Sequence, residues 1–347
     1  MKRTHRPVVI LAFATFLSFL IWNAPVREGV RSGLSLCCSS LIPALFPFSV
    51  LTNVLMNCGG GITDGPRAEK RMRKLFRLPG EAEPAVLLGL LGGFPLGAMI
   101  ASDLCERGRL TKEEAERTAA LCNNAGPAFV IGAVGAGVFG SVRIGAALFL
   151  IQASSAMLCG ILLRRDFNGK KVIKHSAAPK TLRFSAAFAD ALGKSAFSML
   201  RICAIVVFFS ALTSLFRAVL PLNRLPAVVY ACIYGALELT GGCFALTGIR
   251  EELAFRAAAV MLGWGGLCVH MQAMDAFSRA GISPLPYLRR KGLQALLCYA
   301  LAFPVGSLLY GGIRLRYFMF SGVFFVFLII IFLFFQKQDW KSGGNMV

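Results

Sequence analysis

Residues 91–97 have the sequence Leu91-Gly92-Gly93-Phe94-Pro95-Leu96-Gly97 and lie in the middle of an apolar block that covers residues 86–102. A second apolar block, residues 226–247, is interrupted in the same way by Glu238-Leu239-Thr240-Gly241-Gly242. Paired glycines and an internal proline disfavour a continuous helix. We therefore expect each block to fold back as a helical hairpin rather than to form one straight helix.

The rest of the sequence is also dominated by apolar blocks. Hydrophobic residues make up 56% of the 347-residue chain, compared with about 45–50% in soluble domains. Most blocks are long enough to cross a hydrocarbon core roughly 30 Å thick. The lipid bilayer is therefore an expected partner. The blocks cover residues 8–23, 34–57, 86–102, 117–139, 142–163, 199–220, 226–247, 256–279, 292–312 and 316–336.

The formal net charge of +20 follows the pattern of a membrane protein. Basic residues concentrate in segments between the apolar blocks, namely residues 67–77, 164–183 and 289–291. Such segments stay on the cytoplasmic side and attract anionic lipid headgroups. The sequence has no basic stripe interleaved with aromatic residues, so nucleic acid is not an expected partner.

Charge also predicts the topology. If both interrupted blocks are re-entrant hairpins, the stretches 58–84, 103–116 and 164–183 all lie on the inner side with both termini. If both blocks crossed fully, the basic stretch 164–183 would lie outside, against the positive-inside rule. The predicted fold class is an all-α membrane protein with about eight transmembrane helices plus two re-entrant helical hairpins.

The order helix, hairpin, helix, helix occurs twice in this topology, and the two copies enter the membrane from opposite sides. Short sequence matches fall at equivalent places, such as Phe48-Ser49-Val50-Leu51-Thr52 with Phe209-Ser210-Ala211-Leu212-Thr213. Inverted repeats with broken helices are typical of secondary transporters. The predicted units are an N-terminal helix with an amphipathic link (1–33), repeat 1 (34–163), a basic linker with an amphipathic helix (164–198), inverted repeat 2 (199–312), and a C-terminal helix with a tail (313–347).

Four interruptions are candidate binding sites, because unwound backbone is tolerated in lipid only where protein buries it or where it lines a wet cavity. Two are the hairpin tips, and two are helix breaks at residues 123–127 and 263–266. Free N–H groups at half-helix ends favour an anion. Alternatively, the glycines only allow close helix packing. The predicted substrate-binding residues are Gly92, Gly93, Pro95, Asn123, Asn124, Gly126, Thr240, Gly241, Gly242, Gly265 and Gly266.

Three polar positions add to this site. Glu238 precedes the second tip in an apolar block, and an ionisable group there is a functional hypothesis by default. It is our candidate for proton coupling, and the alternative is that it holds a backbone donor. His270 and Gln272 follow the second break as polar lining residues, and the alternative for His270 is a structural role.

The sequence does not predict an enzyme. HExxH and GxSxG motifs are absent, and no carboxylate pair occurs at useful spacing in a soluble segment. The eleven cysteines are scattered without a CxxC pair, so they are expected to behave as small core residues rather than as metal ligands or disulfides. No cofactor and no metal are expected.

Three segments resemble the sporulation integral membrane protein YlbJ family. They are Leu41-Ile42-Pro43-Ala44-Leu45-Phe46-Pro47-Phe48, Gly93-Phe94-Pro95-Leu96-Gly97 and Asn124-Ala125-Gly126-Pro127. The resemblance covers residues 8–315. That family carries the Gate or nucleoside recognition domain, which is similar to the core of concentrative nucleoside transporters.

The resemblance implies a multi-pass protein of endospore formation, in a membrane around the forespore. The cargo that it implies is dipicolinate, a small anionic solute moved by the mother cell. Repeat 2 departs from the pattern, with Leu262-Gly263-Trp264-Gly265-Gly266 where repeat 1 has Asn123-Asn124-Ala125-Gly126-Pro127. The alternatives are a non-transporting sporulation membrane assembly factor and a transporter of nucleosides or other metabolites. A homo-oligomer is compatible with the sequence.

Overall fold

The computed structural model describes residues 6–57, 65–166, 184–220 and 224–310. Within these ranges the chain forms helices and connecting turns and no strand. The α-helices are α1 (Arg6–Ile21), α2 (Asn23–Leu36), α3 (Ile42–Asn57), α4 (Pro66–Phe76), α5 (Glu83–Gly92), α6 (Leu96–Glu106), α7 (Lys112–Cys122), α8 (Val142–Leu162), α9 (Phe184–Val219), α10 (Ala227–Leu237), α11 (Leu239–Phe244), α12 (Glu251–Trp264), α13 (Leu267–Ala280) and α14 (Pro284–Leu309).

Both interrupted blocks are broken where the sequence predicts. In the first block, α5 ends at Gly92 and α6 begins at Leu96. In the second, α10 ends at Leu237, and α11 begins after Glu238, whose backbone is extended. The two helices of each pair pack against each other. Each block is thus two short helices that fold back on one another.

The two segments that follow these pairs are also broken. The segment after α6 consists of α7, an irregular stretch at residues 123–126, and a π-helix, Ala128–Val138. The segment after α11 consists of α12 and α13, separated by Gly265 and Gly266. These breaks coincide with the predicted ones.

The N-terminal part differs from the predicted blocks. Helix α1 meets α2 at a bend of 98°, and α2 continues through a π-helical turn, Cys37–Leu41, into α3. The predicted block 34–57 therefore starts inside α2. Helix α2 buries Val26, Gly29 and Gly33 and packs along α9.

Helix α9 is longer than the sequence predicts. It contains 36 residues, which corresponds to a length of about 54 Å. The predicted boundary between the linker and repeat 2, at residues 198 and 199, falls within this continuous helix. The predicted block 316–336 lies outside the described residues.

Four helical segments are long and apolar enough to cross a membrane: α8, α9, α12 with α13, and α14. A fifth results if α1 and α2 count as one bent span. Seven of the eight predicted spans fall within the described residues, and fewer pass there because α3 has only 16 residues and the segment from α7 to the π-helix is broken. Large apolar side chains such as Phe184 and Leu308 are 70% and 72% exposed on the outer surface, as expected for contact with lipid.

Several polar contacts gather at one end of the molecule. Arg107, at the end of α6, donates to Asn57, at the end of α3. The same Asn57 donates to Asp190 near the start of α9. Glu83, the first residue of α5, pairs with Arg71 at 2.8 Å. Both ends of the α5–α6 pair therefore lie near the segment that follows α3.

Candidate functional site

The four interruptions meet in the interior of the molecule. At the first tip, Gly93 lies so close to the first break that a Cβ added there would be 2.7 Å from the Gly126 nitrogen. The ring of the neighbouring Phe94 lies against Gly265, in the second break. Gly266 lies against the backbone of the second tip, since a Cβ there would be 3.0 Å from the Gly235 oxygen. The structure thus brings together the tips and breaks that the sequence predicts.

Glycine is required at the second break for a conformational reason. Gly265 and Gly266 have φ angles of +94° and +83°, a region that L side chains rarely adopt. The reversed backbone at these residues lets α12 end and α13 start in the molecular interior.

For three of the predicted glycines, the atoms nearest to an added Cβ belong to their own helix pair. Gly92 lies against the Leu96 side chain, Gly241 against the Tyr234 ring, and Gly242 against Gly235. These contacts match the packing alternative, and a substrate-binding role for these glycines stays a prediction.

The first break is built around two buried amides. Asn123 donates from Nδ2 to the Tyr287 hydroxyl at 2.9 Å, and its Oδ1 atom has no protein partner. Asn124 donates from Nδ2 to the Leu121 carbonyl at 2.9 Å and accepts from Gln294 at 2.7 Å. Asn123 is 0% exposed and Asn124 is 1% exposed. Both side chains therefore belong to the interior, as predicted.

Lys291 also belongs to the polar cluster at this break. The basic triplet 289–291 was expected in an inner loop, but Lys291 lies within α14 and is 0% exposed. Its neighbour Arg290 is also inside the molecule, paired with buried Glu116 at 3.2 Å. The sequence does contain one indication of this position. Tyr287, Lys291 and Gln294 are spaced by four and three residues, which places them on one helix face.

Lys291 has three hydrogen-bond partners. Nζ donates to the Asn123 carbonyl at 2.9 Å, to Asn124 Oδ1 at 3.1 Å and to Gln294 Oε1 at 2.6 Å. The Phe94 ring of the first tip lies 5.7 Å from the same nitrogen, within the range of a cation–π contact. Lys291 thus connects α14 to the first tip and the first break.

Glu238 holds the N-terminus of α11. Its Oε1 accepts from the Thr240 N–H at 2.8 Å, and its Oε2 accepts from the Gly241 N–H at 2.6 Å. This is the alternative that the sequence left open, a carboxylate that binds backbone donors. In this conformation the two N–H groups are occupied, so an anion would meet the carboxylate rather than free donors at this tip.

His270 is buried between two aromatic rings. It is 0% exposed, its Nδ1 lies 3.3 Å from the Tyr287 hydroxyl, and its Nε2 has no protein partner. The Trp264 ring centroid lies 4.3 Å from the imidazole centroid. Because Tyr287 also contacts Asn123, His270 is linked to the first break.

Gln272 lies on a different side of α13. It donates to Cys268 and lines a shallow cleft between α6, α9 and α13 that Pro95 also lines. The cleft carries an ion pair, Arg201 with Asp275, at 3.0 Å. Asp275 is thus a paired residue within α13.

Within the part of the chain that the structure describes, no three His, Cys, Asp or Glu side chains are grouped so as to hold a metal ion. The polar cluster around the first break consists mainly of amides, one lysine, one histidine and one tyrosine. This set can bind a polar or anionic molecule by hydrogen bonds and charge.

The apolar outer surface, the long apolar helices and the broken helices with a polar interior define a helical integral membrane protein. The chain is 25% identical over 335 residues to the sporulation integral membrane protein YlbJ of Bacillus subtilis (strain 168), with 85% of this chain and 81% of the relative covered. This similarity confirms the resemblance to the YlbJ family that the three sequence segments indicate. No protein-family model and no solved structure matches the chain.

Proposed function

We propose that the protein is a carrier that moves a small organic anion across a membrane, and that it is not an enzyme. The observation that carries this proposal is the meeting of four helix interruptions around a buried polar cluster. Interrupted helices at membrane depth are tolerated where they are buried or line a cavity, and transporters use them as binding sites.

The contacts at one end of the molecule support a re-entrant first hairpin. Both ends of the α5–α6 pair lie near the segment after α3, through Arg107 with Asn57 and Arg71 with Glu83. A hairpin that returns to the side where it started has this arrangement. The repeated order of a helix, a folded-back pair, a broken helix and a helix supports two repeats, which we propose to be inverted across the membrane.

The name of the relative supports a role in sporulation. We assign the protein to a membrane that surrounds the forespore and propose dipicolinate, which the family resemblance implies, as the cargo. A planar dianion suits an interior that contains one lysine and several amide donors.

Uptake by reconstituted vesicles tests the proposal. Purified protein in lipid vesicles should take up labelled dipicolinate with saturation, whereas protein-free vesicles should not. Labelled uridine tests the alternative that the cargo is a nucleoside. No dipicolinate uptake by protein that still unfolds cooperatively on heating would contradict the proposal and favour the assembly-factor alternative, while uridine uptake alone would favour a nucleoside carrier.

A further inference from the structure

We propose that Lys291 is the anchor that binds a carboxylate group of the cargo. The inference rests on the proposed transport function, since it names the residue and the chemical group that recognise each other in the same site. It assigns a role to a residue that the charge pattern of the sequence placed in a loop.

The hydrogen bonds require a charged ammonium group. Three oxygen atoms surround Nζ at 2.6–3.1 Å, and only the protonated amine has three N–H donors. One acceptor is the backbone carbonyl of Asn123 and cannot change roles.

The orientations of the two amides are fixed by backbone carbonyls. Asn124 turns Nδ2 to the Leu121 carbonyl, so its Oδ1 faces Lys291. Gln294 turns Nε2 to the Gln152 carbonyl at 3.3 Å, so its Oε1 faces Lys291. All three partners are therefore acceptors.

These partners satisfy the hydrogen bonds of Lys291 but leave its charge uncompensated. Each is a neutral oxygen, and no described acidic side chain forms an ion pair with Lys291. Buried Glu116 is paired with Arg290. The C-terminus of α7, which Lys291 contacts at Asn123, carries only about half a negative charge. Because an unpaired buried charge is expensive, the remaining counter-charge is expected from a bound anion.

A second donor is connected to this ammonium group through Gln294. Gln152 is 1% exposed, and both its Oε1 and Nε2 atoms lack a protein partner. Its backbone carbonyl binds Gln294, which in turn binds Lys291. A carboxylate of the cargo would replace one of the three neutral acceptors of Lys291, and the unpartnered Gln152 amide supplies a second N–H donor. A phosphate dianion usually recruits Arg or several backbone donors.

Carboxylate binding by Lys291 is tested by comparing the affinity of the protein for a dicarboxylate and for its neutral diamide. Binding is followed as the rise in melting temperature of the purified full-length protein with dipicolinate, or with its neutral analogue pyridine-2,6-dicarboxamide. Wild-type protein should bind the dicarboxylate more tightly than the diamide. In Lys291→Gln the affinity for dipicolinate should fall about tenfold or more, as expected for a lost charge-assisted hydrogen bond, while the affinity for the diamide changes little. Lys194→Gln is the matched control, because Lys194 is an exposed lysine on α9.

If Lys291 only caps α7, Lys291→Gln should lower the melting temperature of the ligand-free protein and leave its preference for the dicarboxylate unchanged. That result would overturn the inference. If Lys291→Gln cannot be purified, wild-type protein and Lys291→Arg provide the test: equal binding of dicarboxylate and diamide by both also overturns it. Wild-type protein that prefers the dicarboxylate in a Lys291-dependent way but transports nothing would refute the transport function alone.

Discussion

Glu238 caps α11 with both oxygens of its carboxylate, so a substitution changes hydrogen bonding as well as charge. Glutamine offers one acceptor oxygen and turns an NH₂ group towards the second backbone N–H. We expect Glu238→Gln to lower the free energy of unfolding by about 1–2 kcal/mol, the usual loss for an N-cap. Thermal unfolding of the purified protein measures this change.

The matched control is Glu238→Asp, which keeps the charge and is a favourable N-cap residue. It also tests proton coupling. A coupling role predicts that Asp retains uptake driven by a pH gradient, whereas Gln loses it and still exchanges cargo between the two sides. Equal pH-driven uptake per folded molecule by wild-type protein and Glu238→Gln would leave Glu238 with a capping role only.

Gly93 joins the first tip to the first break through its backbone. Its φ and ψ angles of 83° and −173° are a combination that essentially only glycine adopts, at a cost of about 1–3 kcal/mol for other residues. An added Cβ would also lie 2.7 Å from the Gly126 nitrogen. We expect Gly93→Ala to lower the free energy of unfolding by about 1–3 kcal/mol and to reduce dipicolinate uptake per folded molecule.

Gly193 provides the comparison for this substitution. It lies in α9 with no atom within 4 Å of an added Cβ. Gly193→Ala should be neutral or stabilise the protein by up to about 1 kcal/mol through helix propensity. If both alanine variants show the same melting temperature and uptake, the close contact at Gly93 has no functional importance.

At the scale of single residues, the sequence identifies interruptions better than it identifies partners. Gly93, Gly265 and Gly266 were predictable because they break a helix in an apolar block. The spacing of Tyr287, Lys291 and Gln294 places them on one helix face, but whether that face of α14 is buried could not be predicted. With 100° between successive helix residues, neighbours in a basic triplet point in different directions.

At the scale of helices, the re-entrant hairpin makes a prediction about accessibility. Lys70 on α4 and Glu106 at the end of α6 are both exposed, and the contact between Arg107 and Asn57 brings these segments to one end of the molecule. In a variant with the exposed Cys38 replaced by Ser, single substitutions Lys70→Cys and Glu106→Cys should react with an impermeant thiol reagent from the same side of the membrane.

The reference position for this labelling is Arg143→Cys. Arg143 is exposed at the start of α8, which the topology places on the other side. It should therefore react from the opposite side. Reaction of Lys70→Cys and Glu106→Cys from different sides would mean that the α5–α6 pair crosses the membrane, and the proposed inverted repeat would be wrong as well.

Helix lengths were less predictable than helix breaks. The start of α9 at Phe184 lies before the apolar block, because its first turns include Asp190 and Lys194, which pair with each other on the surface. Such a helix carries charge at one end and apolar residues along the rest. A hydropathy pattern detects only the apolar part, so the linker boundary at 198 fell inside the helix.

At the scale of the whole molecule, the polar interior is assembled from both halves of the chain. Asn123 and Asn124 come from the first half, and Tyr287, Lys291 and Gln294 come from α14 in the second. Side chains that meet across more than 160 residues are not visible as a motif. The sequence therefore identified the two amides at the break but not the side chains of α14 that contact them.

Because the polar interior is built from both halves of the chain, neither half is expected to fold stably without the other. Helices α12 and α14 pack against α8, and Glu116 of the first half pairs with Arg290 of the second. Separation would break the buried Glu116–Arg290 pair, a loss of about 3–5 kcal/mol, and would remove two of the three hydrogen-bond partners of Lys291. The halves should therefore not be stable alone.

Expression of the chain as two fragments, divided between residues 174 and 175, tests this prediction. Each fragment expressed alone should be degraded or unfold without a cooperative transition. Co-expressed fragments should purify together through a tag on one of them, because the buried contacts between the halves do not require the covalent link. Lys194→Gln in the second fragment should leave this association intact, whereas Lys291→Gln should weaken it, since only Lys291 contacts the first half. Either fragment unfolding cooperatively on its own would show that the two repeats are independent folding units, and that the polar interior forms by docking of two finished domains.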